Sequence, residues 1–153
     1  VWPKALARHF ERVYTWEPDP DNFYCLAQNV TEANVVKFQA ALGHKPGWVD
    51  MNRRAENVGA YTVKPGGILP TMRIDDLGLD ACDLIYLDVE GSELNALRGA
   101  AVTIDRYKPV IAIEENELCE QFGVSRGEVG LWLKTFGYGE IARSHNDIYF
   151  ACR

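Results

Sequence analysis

The sequence predicts an α/β fold built on a mainly parallel sheet with an antiparallel C-terminal edge. Three observations lead to it. Apolar strand-like runs alternate with helical patterns along most of the chain. "DLIYLDV" (83–89) is apolar nearly throughout, as a strand covered on both faces would be. "GEIARS" (139–144) and "DIYFAC" (147–152) follow one another with no helix between them, which suits an antiparallel edge.

The elements are predicted in order as follows. A helix spans residues 3–10, with Pro3 tolerated in its first turn. "RVYTW" (12–16) is a strand. Asp19 is placed to cap the next helix, with Pro20 at its first position. Phe23, Leu26, Ala27 and Val30 then lie on one helical face. "NVVKFQAAL" (34–42) is a single strand. Residues from about 43 to 70 are rich in Gly, Asn and Pro and predict a turn-rich insertion with short antiparallel strands. Within it, Trp48 and its neighbours form either a lid or substrate wall or an ordinary hairpin. Asp75-Asp76 reads as a solvated turn. After "DLIYLDV", Leu94, Leu97, Ala101 and Ile104 make one helical stripe, with Glu90 and Glu93 near its start and Arg106 and Lys108 near its end, as the helix dipole favours. "PVIAIEE" (109–115) is a strand. Ser125 and Glu128 have capping-box spacing, Val129, Trp132, Leu133 and Phe136 make a helical face, and Gly137 suits the helix end.

The chain has 153 residues, enough for one domain spanning 1–153 with a substantial core. A net charge of −6 argues against nucleic-acid binding through phosphate neutralisation. No apolar run is long enough to span a membrane. Cys25, Cys82, Cys119 and Cys152 are widely spaced and read as the reduced, mostly buried thiols of an intracellular, cytoplasmic protein.

Ligands of open α/β sheets bind beyond the carboxyl ends of the strands. Here those ends carry Glu17, then Gln39 followed by Ala40 and Ala41, then Asp88 and Glu90, then Glu114 and Glu115. A carboxylate such as Glu17 matches a ribose cis-diol, and in dinucleotide-type folds it stands about 20 residues after a glycine-rich turn. That spacing places the turn ahead of residue 1, and there is no glycine between Val1 and Trp16. No His, Cys, Asp or Glu spacing is diagnostic of a metal, so no metal ligand is assigned. His145 reads as a surface loop residue.

Several stretches, taken in order, resemble the FkbM-type methyltransferases, which use S-adenosylmethionine. "VYTWEPDPDNFYCLAQNV" (13–30) resembles their second strand and following helix, and "FQAALG" (38–43) their third strand. "ENVGAYTV" (56–63) is similar to a short Asn-Gly motif in their insertion. "MRIDDLGLDACDLIYLDVEGSELNALRGA" (72–100) resembles their most specific block, and "KPVIAIEEN" (108–116) the strand after it. The resemblance implies a Rossmann-like class I methyltransferase sandwich. It implies cofactor contacts at Glu17 (ribose hydroxyls), Pro18, Ala40 and Ala41 (adenine) and Asp88 (the methyl-donor pocket). Glu90 would follow on the substrate side, and Gly91 would allow close backbone approach. Asp88 and Glu90 are the candidate catalytic bases. The implied reaction is O-methylation of a hydroxyl on a sugar or small metabolite. The alternative is a non-catalytic remnant acting as a binding or assembly module. The family's acidic-Gly-x-x-x-Gly run is absent from this chain, and with it the first strand, expected between the strands at Val13 and Leu84. The chain is therefore expected to be N-terminally incomplete, or to need a partner, such as a homo-oligomer, that completes the sheet.

Overall fold

A computed structural model describes residues 2–52 and 61–152. Helix α1 (Trp2–Leu6) is shorter than predicted and runs into a turn in which the His9 N–H donates to the Leu6 carbonyl. Strands β1 (Val13–Trp16) and β2 (Val35–Phe38) pair in parallel, from Val13↔Val35 to Trp16↔Phe38, with α2 (Pro20–Asn29) crossing between them. Asp19 caps α2 as predicted: its carboxylate accepts the Asp21 and Asn22 amides at 2.9 and 3.1 Å. Val13, Val35 and Val30 form a small core with Leu6, Phe10 and Leu26.

The predicted strand 34–42 is two strands. The chain bends at Gln39-Ala40, and β3 (Ala41–Leu42) leaves β2 to pair in parallel with β6 (Leu69–Met72). The insertion supplies β4 (Gly47–Asn52) and β5 (Thr62–Pro65), and this sheet runs β3-β6-β4-β5 with β4 antiparallel to both neighbours. Residues 56–60, which carry the Asn-Gly part of "ENVGAYTV", lie outside the described residues.

A second four-stranded sheet has the order β7-β8-β10-β9, from β7 (Leu84–Leu87), β8 (Val110–Glu114), β9 (Tyr138–Ser144) and β10 (Asp147–Cys152). β7 and β8 are parallel, and β10 is antiparallel to both β8 and β9, which forms the expected C-terminal edge. On one face Ile85, Leu87, Ile111, Ile113, Ile148 and Phe150 are buried with Leu94, Leu97, Ile104, Val129 and Leu133. Those residues come from α3 (Glu93–Arg98), α4 (Ala101–Tyr107) and α5 (Glu128–Lys134). β7 was expected to be covered on both faces, but Leu84 and Tyr86 are only half-buried. Tyr86 instead meets Trp2 of α1, with ring centroids 4.9 Å apart. Among the described residues no strand joins β1–β2 to β7–β8, so the parallel pairs do not form one continuous sheet.

The predicted stripe 94–104 is broken into α3 and α4 at Gly99, where a side chain would collide with the carbonyl of Gly43. Asp75 is not merely solvated. It lies in a 3-10 turn (Ile74–Leu77), and its carboxylate reaches across to α4, accepting the Val102 and Thr103 amides at 3.1 and 2.9 Å and the Thr103 hydroxyl at 2.8 Å. The Ser125–Glu128 pattern is half realised: the Ser125 N–H donates to Glu128 Oε2 at 3.0 Å, while α5 starts at Glu128 behind Gly127. Gly137, at φ 87°, takes the left-handed conformation that leads into β9. No helix among the described residues is long and apolar enough to cross a membrane. Asp75→Ala leaves two helix-start amides without their carboxylate and is expected to cost about 1–2 kcal/mol. The check is urea unfolding, where an unchanged midpoint contradicts this role.

Candidate functional site

β1 and β7 each pair on one edge only among the described strands. Both line a common cavity of ≈ 1060 Å³ along their whole lengths. Beyond the carboxyl ends of these strands the lining continues through Glu17, Pro18, Asp88, Val89, Glu90 and Ser92. Ala40, Ala41 and Leu42 add another wall, and the insertion contributes Met51, Tyr61 and Val63. Glu17, Pro18, Ala40, Ala41, Asp88 and Glu90, all singled out from the sequence, thus come together on one cavity. Trp48, on the insertion's β4, is 63% exposed and does not line it.

Glu17 is fixed by its backbone first. Its N–H donates to the Phe38 carbonyl at 3.1 Å, which carries the β1–β2 ladder one residue past Trp16. Its side-chain Oε1 then accepts the Asp19 N–H at 2.8 Å. The loop that caps α2 therefore also orients Glu17. Partial burial raises the carboxyl's pKa, and the Asp19 amide bond opposes that rise. The neighbouring Ala40 and Ala41 are buried, at 1% and 5% exposure, and their small side chains leave the wall open.

Asp88 follows Leu87, whose register partner is Ile113, so it stands beside Glu114 at the end of β8. Its side chain opens onto the cavity, yet the carboxyl is pushed up to about 7. Desolvation is the main cause, followed by the charge and hydrogen bond of Glu114 and then the charges of Glu90 and Glu93. A carboxyl at that value can exchange a proton near neutral pH.

The turn after Asp88 is unusual. Glu90 has φ 53° and Gly91 φ 95°, two successive left-handed residues. A side chain at Gly91 would collide with the backbone of Leu118, so the close approach expected of this glycine is made to the chain itself. Glu93, read from sequence only as an acid favoured by the helix dipole, is 4% exposed. Its Oε1 accepts the Val89 and Gly91 N–H groups, each at 3.2 Å. The spacing of the Glu-Gly-x-Glu run was the available signal: the second glutamate sits two residues after a glycine, within reach of that glycine's amide.

The other strand-end acids divide by role. Glu114 serves Asp88. Glu115 is structural: it accepts the Gly127 amide at 2.7 Å and faces Arg143 at 3.8 Å. Gln39 is exposed and off the lining. His145 lies exposed in the β9–β10 turn, as expected of a surface residue. Sequence reasoning did not single out Trp16 as a site residue; it also lines the cavity, stacks on Phe38 at 5.4 Å and has a buried indole N–H with no partner among the described residues.

A model of the methyltransferase FkbM domain matches residues 9–139. No curated protein matches the chain. Among solved structures, the crystal structure of methyltransferase FkbM from Methylobacillus flagellatus KT superposes with a TM-score of 0.61 at 20% identity. The match covers 93% of this chain and 36% of that one, and at this identity the likeness concerns the fold. The family model spans most of the chain, including Glu17, Ala40, Ala41, Asp88 and Glu93, so the chain belongs to the FkbM methyltransferase domain family.

Proposed function

We propose that the protein acts in S-adenosylmethionine-dependent methyl transfer to a hydroxyl of a sugar or small metabolite, in the cytoplasm. The supporting observation is that the β1 end, the β3 wall and the β7 end meet on one cavity in a member of a methyltransferase family. The residues suit the nucleoside half of the cofactor. Glu17 offers a planar carboxylate of fixed orientation to a cis-diol, and Ala40 and Ala41 offer a low wall to a base. Acids on the same lining, Glu17, Asp88 and Glu90, complement a positive sulfonium. When bound, the cofactor supplies a methyl group already activated for displacement.

The chain's own residues would then orient and deprotonate. Pro18 and Glu17 hold the ribose end. Asp88, ionised, accepts the proton of the acceptor hydroxyl as that oxygen takes the methyl group, and Glu90 faces the acceptor. A second reading is a non-catalytic binding or assembly module, with a second copy of the chain completing the sheet. It rests on β1 and β7 both presenting unpaired edges to the cavity among the described strands.

Two measurements test the proposal. S-adenosylhomocysteine titrated calorimetrically into the protein should bind, and Glu17→Ala should weaken it at least tenfold, about 1.4 kcal/mol. No heat with the wild type favours the second reading, and wild-type affinity in Glu17→Ala removes that residue's assigned role. For pH, the base must be ionised, so kcat/KM should rise with pH through about 7, the value to which Asp88 is raised. Asp88→Asn should abolish this limb and lower the rate by about 10²–10⁴-fold. An unchanged pH profile in that variant would assign the proton to another group.

A further inference from the structure

We propose that Glu93 is a positioning residue: its buried carboxylate clamps the 88–91 turn in the conformation that presents Asp88 and Glu90 to the cavity. The functional consequence rests on the roles proposed above for those two acids, whereas the clamp itself rests on geometry alone. Burying an ionisable group is unfavourable unless hydrogen bonds replace its water. Glu93 is 4% exposed, and Oε1 receives two backbone amides, Val89 N–H and Gly91 N–H, both at 3.2 Å. These amides flank Glu90, a non-glycine residue at φ 53°, a backbone region that L-residues avoid unless the surroundings hold it.

The turn is held from two other sides. Ser92 Oγ donates to the Val89 carbonyl at 3.1 Å, and the Ser92 N–H reaches the same oxygen at 3.3 Å. The backbone at Leu118 and Cys119 closes over Gly91, leaving no room for a side chain. Among the described residues, it is the Glu93 carboxylate that accepts the amides on both sides of Glu90. Without it, two inward-facing N–H groups lose their acceptor, and the left-handed backbone at Glu90 loses one of the contacts that hold it. The titratable groups facing Glu93 are Asp88 and Glu114 at the strand ends and Cys119 in the overlying segment. Burial raises the Glu93 carboxyl, and its backbone amide bonds oppose that rise.

The test uses two variants of Glu93, with Asp88→Asn as a control, and reads them by NMR and by methyl-transfer assay. Glu93→Gln keeps an acceptor oxygen without the charge, and Glu93→Ala removes the acceptor. By NMR, the Val89 and Gly91 amide protons of the wild type should move together with one carboxyl titration that persists in Asp88→Asn and vanishes in Glu93→Gln. In Glu93→Gln both amides should stay protected from hydrogen exchange. Amides that ignore both pH and the Glu93→Gln change overturn the clamp, whether or not the protein binds cofactor. In methyl-transfer assays Glu93→Ala should lose about 10²-fold in kcat with little change in KM, and Glu93→Gln should recover most of that loss. A wild-type kcat in Glu93→Ala overturns the positioning role. Absence of cofactor binding and turnover in the wild type counts against the proposed function and leaves the clamp to the NMR result.

Discussion

Burial of one face of the β7–β8–β10 sheet is the constraint from which the site follows. Ile85, Leu87, Ile111, Ile113, Ile148 and Phe150 are all 5% exposed or less and pack with the inward faces of α3, α4 and α5. Each such side chain contributes about 1.5–3 kcal/mol when fully buried. A strand's side chains alternate, so a slip of one residue would turn this whole set toward solvent. The register Leu87↔Ile113 is therefore strongly specified, and with it the placement of Asp88 beside Glu114. The chemistry at the strand ends is a consequence of the packing behind it.

Electrostatics then separates the acids that the packing gathers. Asp88 opens onto the cavity and is raised chiefly by desolvation and by Glu114. Glu93, a few residues on, is buried but receives backbone amides, so its hydrogen bonds favour the ionised form that burial disfavours. Two carboxylates near the start of one helix thus have different work: one is suited to proton exchange, the other to holding a turn. Glu17, at the end of β1, is oriented by the same loop that caps α2. Helix start and cavity-lining carboxylate are a single local structure there.

The local signals were legible in the sequence. Asp19-Pro20 carries its own capping chemistry, "VYTW" and "LIYL" carry their own strand patterns, and the two closing strands need no distant partner to be recognised. What the sequence did not reveal depends on contacts between remote residues. Gly99 breaks a continuous helical stripe because the Gly43 carbonyl lies against it. "NVVKFQAAL" bends because β3 finds its partner in β6, some thirty residues later. Asp75 looks like a turn acid until α4 is seen to start within its reach. Candidate site residues at strand ends could be named from position alone. For Glu93 the Glu-Gly-x-Glu spacing offered only a hint, because its role depends on the turn folding back over its carboxylate.

The ends of β1, β3 and β7 line one cavity, and we propose that they form one binding site. Backbone NMR shift mapping of the protein with S-adenosylhomocysteine tests it most directly. The perturbed amides are expected to cluster at Thr15–Asp19, Gln39–Leu42 and Asp88–Ser92. Shifts confined to one of these segments, or lying instead on the outer β9 edge or the exposed insertion around Trp48, would contradict a shared site.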